Sequence, residues 1–435
     1  MEIRDVTYDV EESPIRLRGE LTMSAEDAFT QLRPTFERVG FTPKLRKEDG
    51  IAAVYALPVV FGKEDHGFPT MPVLLFVATL LSVFFVGLSQ SEFIFEAPLA
   101  LIMARLSGNA SNLVYPELIP TDPQFLSALG IGLAYAASLV GILGAHEMGH
   151  YLVARRYKVD TTPPFFIPLP IGILGTLGAV IAMREPAPNR KVQFDIGIAG
   201  PLAGLVVCVP ILFVGLLLSD VTTTQAMIES VPPQVQDNIV IFSEGNSIAY
   251  LLAKLAVFGQ ILPQGSLDVE VHPVAFAGWA GLLVTALNLL PVGQLDGGHV
   301  VYGLFGDKAQ KARTPIIIAL AVMAAIGSVQ GAATGWVAAN PEATGQLATT
   351  AEWLATAPLP GWSGWWIWVA MLVFLVRNHA PVLDEITGLD QKRRRLGVVM
   401  IIIFVLIFTP RPLLVNPMTA LMLGGYTALR AVRRY

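Results

Sequence analysis

Phe125–Ala145 carries no charged residue and runs without a break into His146-Glu147-Met148-Gly149-His150. This continuity constrains the chain more than any other stretch. An apolar run of that length is a membrane-spanning helix, and two histidines and a glutamate at its end are costly in lipid. Residues i and i+4 of a helix share a face, so His146 and His150 can present two imidazoles to one metal ion. Glu147 sits beside them, placed to act as general base on an attacking water.

The composition agrees with a membrane setting. Of 435 residues, 53% are hydrophobic and 14% charged, with a mean hydropathy of +0.58, whereas soluble domains carry about 25% charged residues. The expectation is an integral membrane protein with the lipid bilayer as a partner. A net charge of −5 supplies no basic field for nucleic acid. One cysteine, Cys208, excludes an intrachain disulfide framework and a cysteine-rich zinc site; within its apolar run it reads as a small core residue. The first residues lack a basic stretch followed by an apolar one, so no cleavable leader is expected and the first span serves as its own insertion signal.

In chain order, residues 1–68 read as a small soluble α/β domain of ββαββ order. Val6–Glu11 and Ile15–Met23 alternate as strands, and Ser24 caps a helix in which Pro34 should act as a kink or stop. Phe41–Arg46 and Ile51–Leu57 are two further strands around a Glu-Asp-Gly turn. The expected spans are 72–90, 125–145 continuing through the HEMGH segment, 195–219, 272–290, 315–337, 362–376 and 398–408, with 417–429 as an eighth. Phe93–Leu106 is interrupted by Glu96, Pro98 and Arg105 and is not counted. Ile248–Leu262, interrupted by Lys254, reads as a peripheral helix. Basic residues cluster in 1–68, 155–191, 308–313, 377–395 and the C-terminus. With eight spans these clusters alternate with acidic or neutral segments, which places both termini on the cytoplasmic side. Pro163–Met183 is apolar enough to span, but it is rich in proline and glycine and has basic residues at both ends. It reads as a re-entrant hairpin turning near Leu174–Thr176 and lying against the active site, because non-helical backbone at membrane depth must be buried in protein or line a wet cavity; a loop resting on the bilayer surface is the alternative.

The second polar cluster is Asn288-Leu-Leu-Pro-Val-Gly-Gln-Leu-Asp296-Gly-Gly-His299, at the same side of the membrane as the HEMGH segment by the charge alternation. Pro291 stops the helix, and Gly297 and Gly298 are expected to form a tight turn behind Asp296 that aims its carboxylate into the bundle. A catalytic zinc keeps three protein ligands and one open position; His146, His150 and Asp296 complete such a set, with His299 a weaker rival to Asp296. Asn288 can donate its amide hydrogens to a substrate carbonyl or developing oxyanion. His272, His66 and His379 read as structural or loop residues.

These two motifs resemble those of the site-2 protease family of intramembrane zinc metalloproteases, in the branch found in archaea, cyanobacteria and plastids. Similarity extends through Phe194–Gly204 and His272–Gly278 and covers residues 125–300 most securely. The resemblance implies one catalytic Zn2+ on His146, His150 and Asp296, with Glu147 as the catalytic glutamate and Asn288 holding substrate backbone. The expected fold is a polytopic α-helical membrane protein of about eight spans with its catalytic core over 125–300; the N-terminal domain and the C-terminal helices over 301–435 lie outside what the family shares. The implied function is an intramembrane endopeptidase for a membrane-spanning protein substrate, as in regulated intramembrane proteolysis, with a homo-oligomer as an admissible assembly. The expected location is the cell membrane of an archaeal or bacterial prokaryote, with the site near the cytoplasmic face. The alternatives are a divalent-metal transporter, which predicts further buried ligands along the spans, and a non-catalytic scaffold, which has no use for Glu147.

Overall fold

Alternating strands and one capped helix open the computed structural model, which describes residues 1–10, 13–61, 69–90, 122–170, 172–229, 242–340, 342–374 and 382–415. Strands β1 (Glu2–Val10) and β2 (Ser13–Glu20) precede helix α1 (Ala25–Glu37), followed by β3 (Thr42–Glu48) and β4 (Ile51–Leu57). They form an antiparallel sheet of order β1-β2-β4-β3. Ser24 caps α1 by accepting the Asp27 amide, satisfying one of the free N–H groups of the first turn. The helix passes through Pro34 instead of breaking there and ends one turn later, so the missing N–H costs few backbone bonds. Ala28, Phe29, Leu45 and Val54 form the core of this unit, and Leu383 from the far end of the chain completes it.

Helices α2 (Thr70–Ser89), α3 (Asp122–Arg156) and α4 (Arg190–Leu217) follow, with strands β5 (Phe165–Pro168) and β6 (Thr176–Val180) between α3 and α4. Next come β7 (Asp220–Thr223), β8 (Phe242–Glu244), α5 (Ile248–Phe258) and β9 (Leu267–Glu270). The last part holds α6 (Pro273–Asn288), α7 (Asp296–Phe305), α8 (Arg313–Ala339), α9 (Gln346–Thr356), α10 (Trp365–Phe374), α11 (Gln391–Ile407) and β10 (Leu413–Val415). Among the described residues, four stretches are long and apolar enough to cross a membrane: Thr70–Ser89, Phe125–Arg156, Arg190–Leu217 and Asp296–Val337. Helices α5, α6 and α10 are apolar but shorter. The expected segment 91–121, the eighth span at 417–429, His66 and His379 lie outside the described residues.

Small residues set how α4 and α6 meet. A Cβ on Gly215 would stand 2.1 Å from the Ala275 backbone nitrogen, and one on Gly278 would stand 2.7 Å from the Leu212 Cα. Such close approach is how apolar helices gain dispersion contact in lipid, where no hydrophobic force drives them together. Cys208 is fully buried in this seam, where its thiol donates to the Gly278 carbonyl. Ile248–Leu262 forms the short α5, which stops at Gly259 in the left-handed region (φ 71°). Its Lys254 is fully buried and pairs with Glu244 at 2.9 Å and Asp268 at 3.5 Å.

The stretch 163–183 is a two-stranded antiparallel hairpin whose connection runs over residues 169–175, so that Thr176 already belongs to β6. Gly175 takes φ +79°, and a Cβ there would meet the Val83 Cα at 2.7 Å. Only glycine serves on both counts. The hairpin is tied to α2 and α3 by Ser82 Oγ donating to the Gly175 carbonyl at 2.6 Å and Tyr135 Oη to the Leu174 carbonyl at 3.2 Å.

Replacing Gly215 by alanine should cost about 1–3 kcal/mol, as overpacking does, and lower the unfolding midpoint in detergent. Gly331→Ala on α8, where nothing lies within 4 Å of the new methyl, should stay within about 0.5 kcal/mol of the parent.

Candidate metal centre

Helix α3 is long and carries His146 and His150 one turn apart near its basic end; both are buried, as is Glu147. Opposite them, α6 ends at Asn288 and the chain turns through 289–295, with Gly293 at φ 56°, before α7 begins at Asp296. The turn thus lies in front of Asp296, not behind it as expected. Gly297 and Gly298 are helical, and they are small because a Cβ on each would strike the Leu289 and Gly293 carbonyl oxygens at 1.9 and 2.2 Å.

The three expected ligands come together. His146 Nε2 is 3.1 Å from Asp296 Oδ2, His150 Nε2 is 3.3 Å from Asp296 Oδ1, and the two Nε2 atoms are 3.2 Å apart. Tetrahedral zinc with bonds of about 2.0–2.1 Å places its ligand atoms ~3.3 Å apart. The triangle therefore has zinc dimensions. Among the described residues it is also the one such group of histidine, cysteine and carboxylate side chains. His150 Nδ1 lies 2.7 Å from the Ile196 carbonyl oxygen. As donor to that carbonyl, Nδ1 carries the proton and leaves Nε2 free for a metal.

Helix α4 holds this geometry through three glycines. A Cβ on Gly200 would overlap His150 Nε2 at 2.1 Å; one on Gly204 would stand 3.2 Å from His146 Nδ1, and one on Gly197 would stand 2.7 Å from the His299 Cβ. Each histidine ring sits in a notch where α4 has no side chain. Gly149 is the reciprocal notch on α3, its missing Cβ lying 2.5 Å from the Ala199 carbonyl oxygen. The spacing 197, 200, 204 was the available signal, since it marks one helix face.

A cavity of about 530 Å³ opens beside the triangle, lined by Glu147, Asn288, Gln294 and His299 and on its far side by β6 and residues 181–186. Asn288 Nδ2 stands 3.3 Å from His146 Nε2. Ile181 lines the same cavity as Glu147. His299 lines the cavity but does not join the ligand triangle, and His272 caps α6 by accepting the Val274 amide.

A methyl at position 200 should displace His150. We expect Gly200→Ala to lower zinc affinity ~10-fold or more, the scale of lost ligand support, while Gly204→Ala has a smaller effect; zinc per folded chain under a competing chelator reads both.

Residues 134–329 match the family model of Peptidase family M50. The probable zinc metalloprotease EGY1, chloroplastic, of Oryza sativa subsp. japonica is 33% identical over 238 residues, 54% of this chain and 38% of the relative. The corresponding EGY1 of Arabidopsis thaliana is 34% identical over 209 residues, 46% and 36% of the two chains. The probable zinc metalloprotease EGY2, chloroplastic, of Arabidopsis thaliana is 26% identical over 302 residues, 69% and 45%. The chain spans less than half the length of these relatives. No solved structure matches. These relatives are chloroplastic by name, which overturns the expectation of a prokaryotic cell membrane. The segment that resembles Peptidase family M50, 134–329, contains both histidines, the glutamate and Asp296.

Proposed function

We propose that this chain is an intramembrane zinc endopeptidase that hydrolyses a peptide bond within or near a transmembrane segment of a membrane-tethered protein, the chemistry of regulated intramembrane proteolysis. The observation that carries the reading is the zinc-sized triangle of His146, His150 and Asp296 with Glu147 beside it, buried among helices long enough to span a bilayer. A zinc ion held there would supply Lewis-acid polarisation of the scissile carbonyl and a lowered water pKa.

The chain's own residues do the rest. Glu147 acts as general base, taking a proton from the attacking water and returning it to the leaving amine. Asn288, at the mouth of the triangle, holds substrate backbone and donates to the oxyanion. Among the described residues strand β6 has a partner on one side only, so its other edge can take an unwound substrate segment by strand addition. In this reading the hairpin dips into the bilayer beside the site, and about eight spans surround it, including the segment 417–429. Water enters from the side rich in basic residues. Glu147 beside intact ligands argues against a scaffold.

The test is purified protein in nanodiscs with a labelled membrane-helix peptide. Cleavage should stop with a zinc chelator and return with added zinc. Glu147→Gln should lose at least ~10²-fold in turnover while still binding one zinc per chain. Cleavage that survives chelation or the Gln variant rules the mechanism out.

A further inference from the structure

The cavity wall at 181–186 belongs to no helix, and what holds it comes from distant parts of the chain. Its first residue, Ile181, lines the cavity together with Glu147. The next residues ladder against the chain leaving α3: the Thr162 amide donates to the Ala182 carbonyl at 2.9 Å and the Arg184 amide to the Asp160 carbonyl at 2.9 Å. Glu185, 7% exposed, closes the wall. One of its carboxylate oxygens accepts the Asp160 amide at 3.0 Å, and the other accepts Nη2 of Arg33 at 2.8 Å. Arg33 lies on α1 of the N-terminal unit, where its Nε also donates to Glu37 at 2.7 Å.

A second tie reaches the residues just after the wall. The segment 383–385 lies as an added strand between β3 and residues 187–189. The Leu45 amide donates to the Leu383 carbonyl at 2.7 Å, and the Glu385 amide donates to the Leu45 carbonyl at 3.0 Å. On the other side the Leu383 amide donates to the Ala187 carbonyl at 3.0 Å and the Asp384 amide to the Pro188 carbonyl at 2.8 Å. Leu383, 1% exposed, fills the core of the N-terminal unit. Asn189, which follows, caps α4. Lys191 adds a pair with Glu26 of α1 at 2.6 Å. The wall is thus clamped to the N-terminal unit at Glu185 and again from Ala187. A merely solubilising appendage has no need of a buried carboxylate shared between itself and the cavity wall.

We propose that the N-terminal unit is a positioning module for the active site, acting through the Arg33–Glu185 pair to fix residues 181–186 and so to aim Glu147. Arg33 and Glu185 are positioning residues, and the inference rests on the protease reading for its effect on turnover. Misplacing a reacting group by about 1 Å can cost ~10²-fold, so a partner that lifts the unit away slows cleavage without touching the zinc ligands.

The experiment compares full-length parent, Arg33→Gln, Glu185→Gln, the charge-keeping Arg33→Lys, and the control Glu37→Gln, all in nanodiscs with the membrane-helix peptide. Arg33→Gln and Glu185→Gln should lose ~10-fold in kcat, with KM and zinc content within about twofold of the parent. Amide exchange over 179–186 should quicken in the same variants. Arg33→Lys should keep most of the parental value in both readouts, and Glu37→Gln should match the parent. Parental kcat in both Arg33→Gln and Glu185→Gln, or a loss in Arg33→Lys as large as in Arg33→Gln, overturns the proposal. A parent that cleaves nothing overturns the protease reading instead; exchange over 179–186 then still decides the clamp, and unchanged exchange in Arg33→Gln overturns it.

Discussion

An imidazole buried between apolar helices needs both ring nitrogens satisfied, and His150 meets that need because α4 comes close enough for Ile196 to offer its carbonyl at 2.7 Å. A buried polar group left unpaired costs about 1–3 kcal/mol, so the distance between α3 and α4 governs whether the site is tolerable in the bundle. That distance is set by Gly149 on one helix and by Gly200 and Gly204 on the other. The same contacts that pack the helices also fix the tautomer and aim of the histidines. Packing and chemistry are here one interaction.

Around this pair the molecule adds successive supports. Helix α6 and the turn at 289–295 bring Asn288 and Asp296 to the triangle from the other side. The hairpin, held to α2 and α3 through Ser82 and Tyr135, supplies the opposite wall of the cavity. On the opposite flank, α11 is tied to α3 and α4 by Arg393, which forks onto Asp195 at 2.8 and 2.6 Å while Tyr157 donates to the same carboxylate at 2.5 Å. Bidentate pairs of this kind fix direction as well as distance.

The parts of the site that a reader of the sequence can find are those whose signal is local. His146, Glu147 and His150 share a helical repeat, and Asp296 follows a helix stop at Pro291. The turn around Asp296 was misplaced because glycine pairs suggest a turn by themselves, whereas here Gly297 and Gly298 make room for a carbonyl turn that precedes them. The hairpin over 163–183 was legible from its turn residues, but the register between 165–168 and 176–180 was not, because proline and glycine blur a strand's alternation; Gly178 at φ +102° and a register shift after Ile167 accommodate them. Lys254 looked like an interruption of an apolar helix, since its partners Glu244 and Asp268 are not helical neighbours. The docking of Leu383 into the N-terminal core carries no local signature, because its contacts are made with the opposite end of the chain.

That last contact bears on the order in which the molecule is made. Residues 1–57 emerge first and can close their sheet early, yet the segment that completes their core, 383–385, arrives only after helices α2 to α10 have been synthesised. Until then Leu45 and its neighbours lack a cover, and the wall beside Glu147 lacks its outer clamp. A growing chain therefore passes through a stage with His146, His150 and Asp296 already synthesised and the cavity wall at 181–186 not yet clamped. Assembly itself delays the finished site until the last helices are in place.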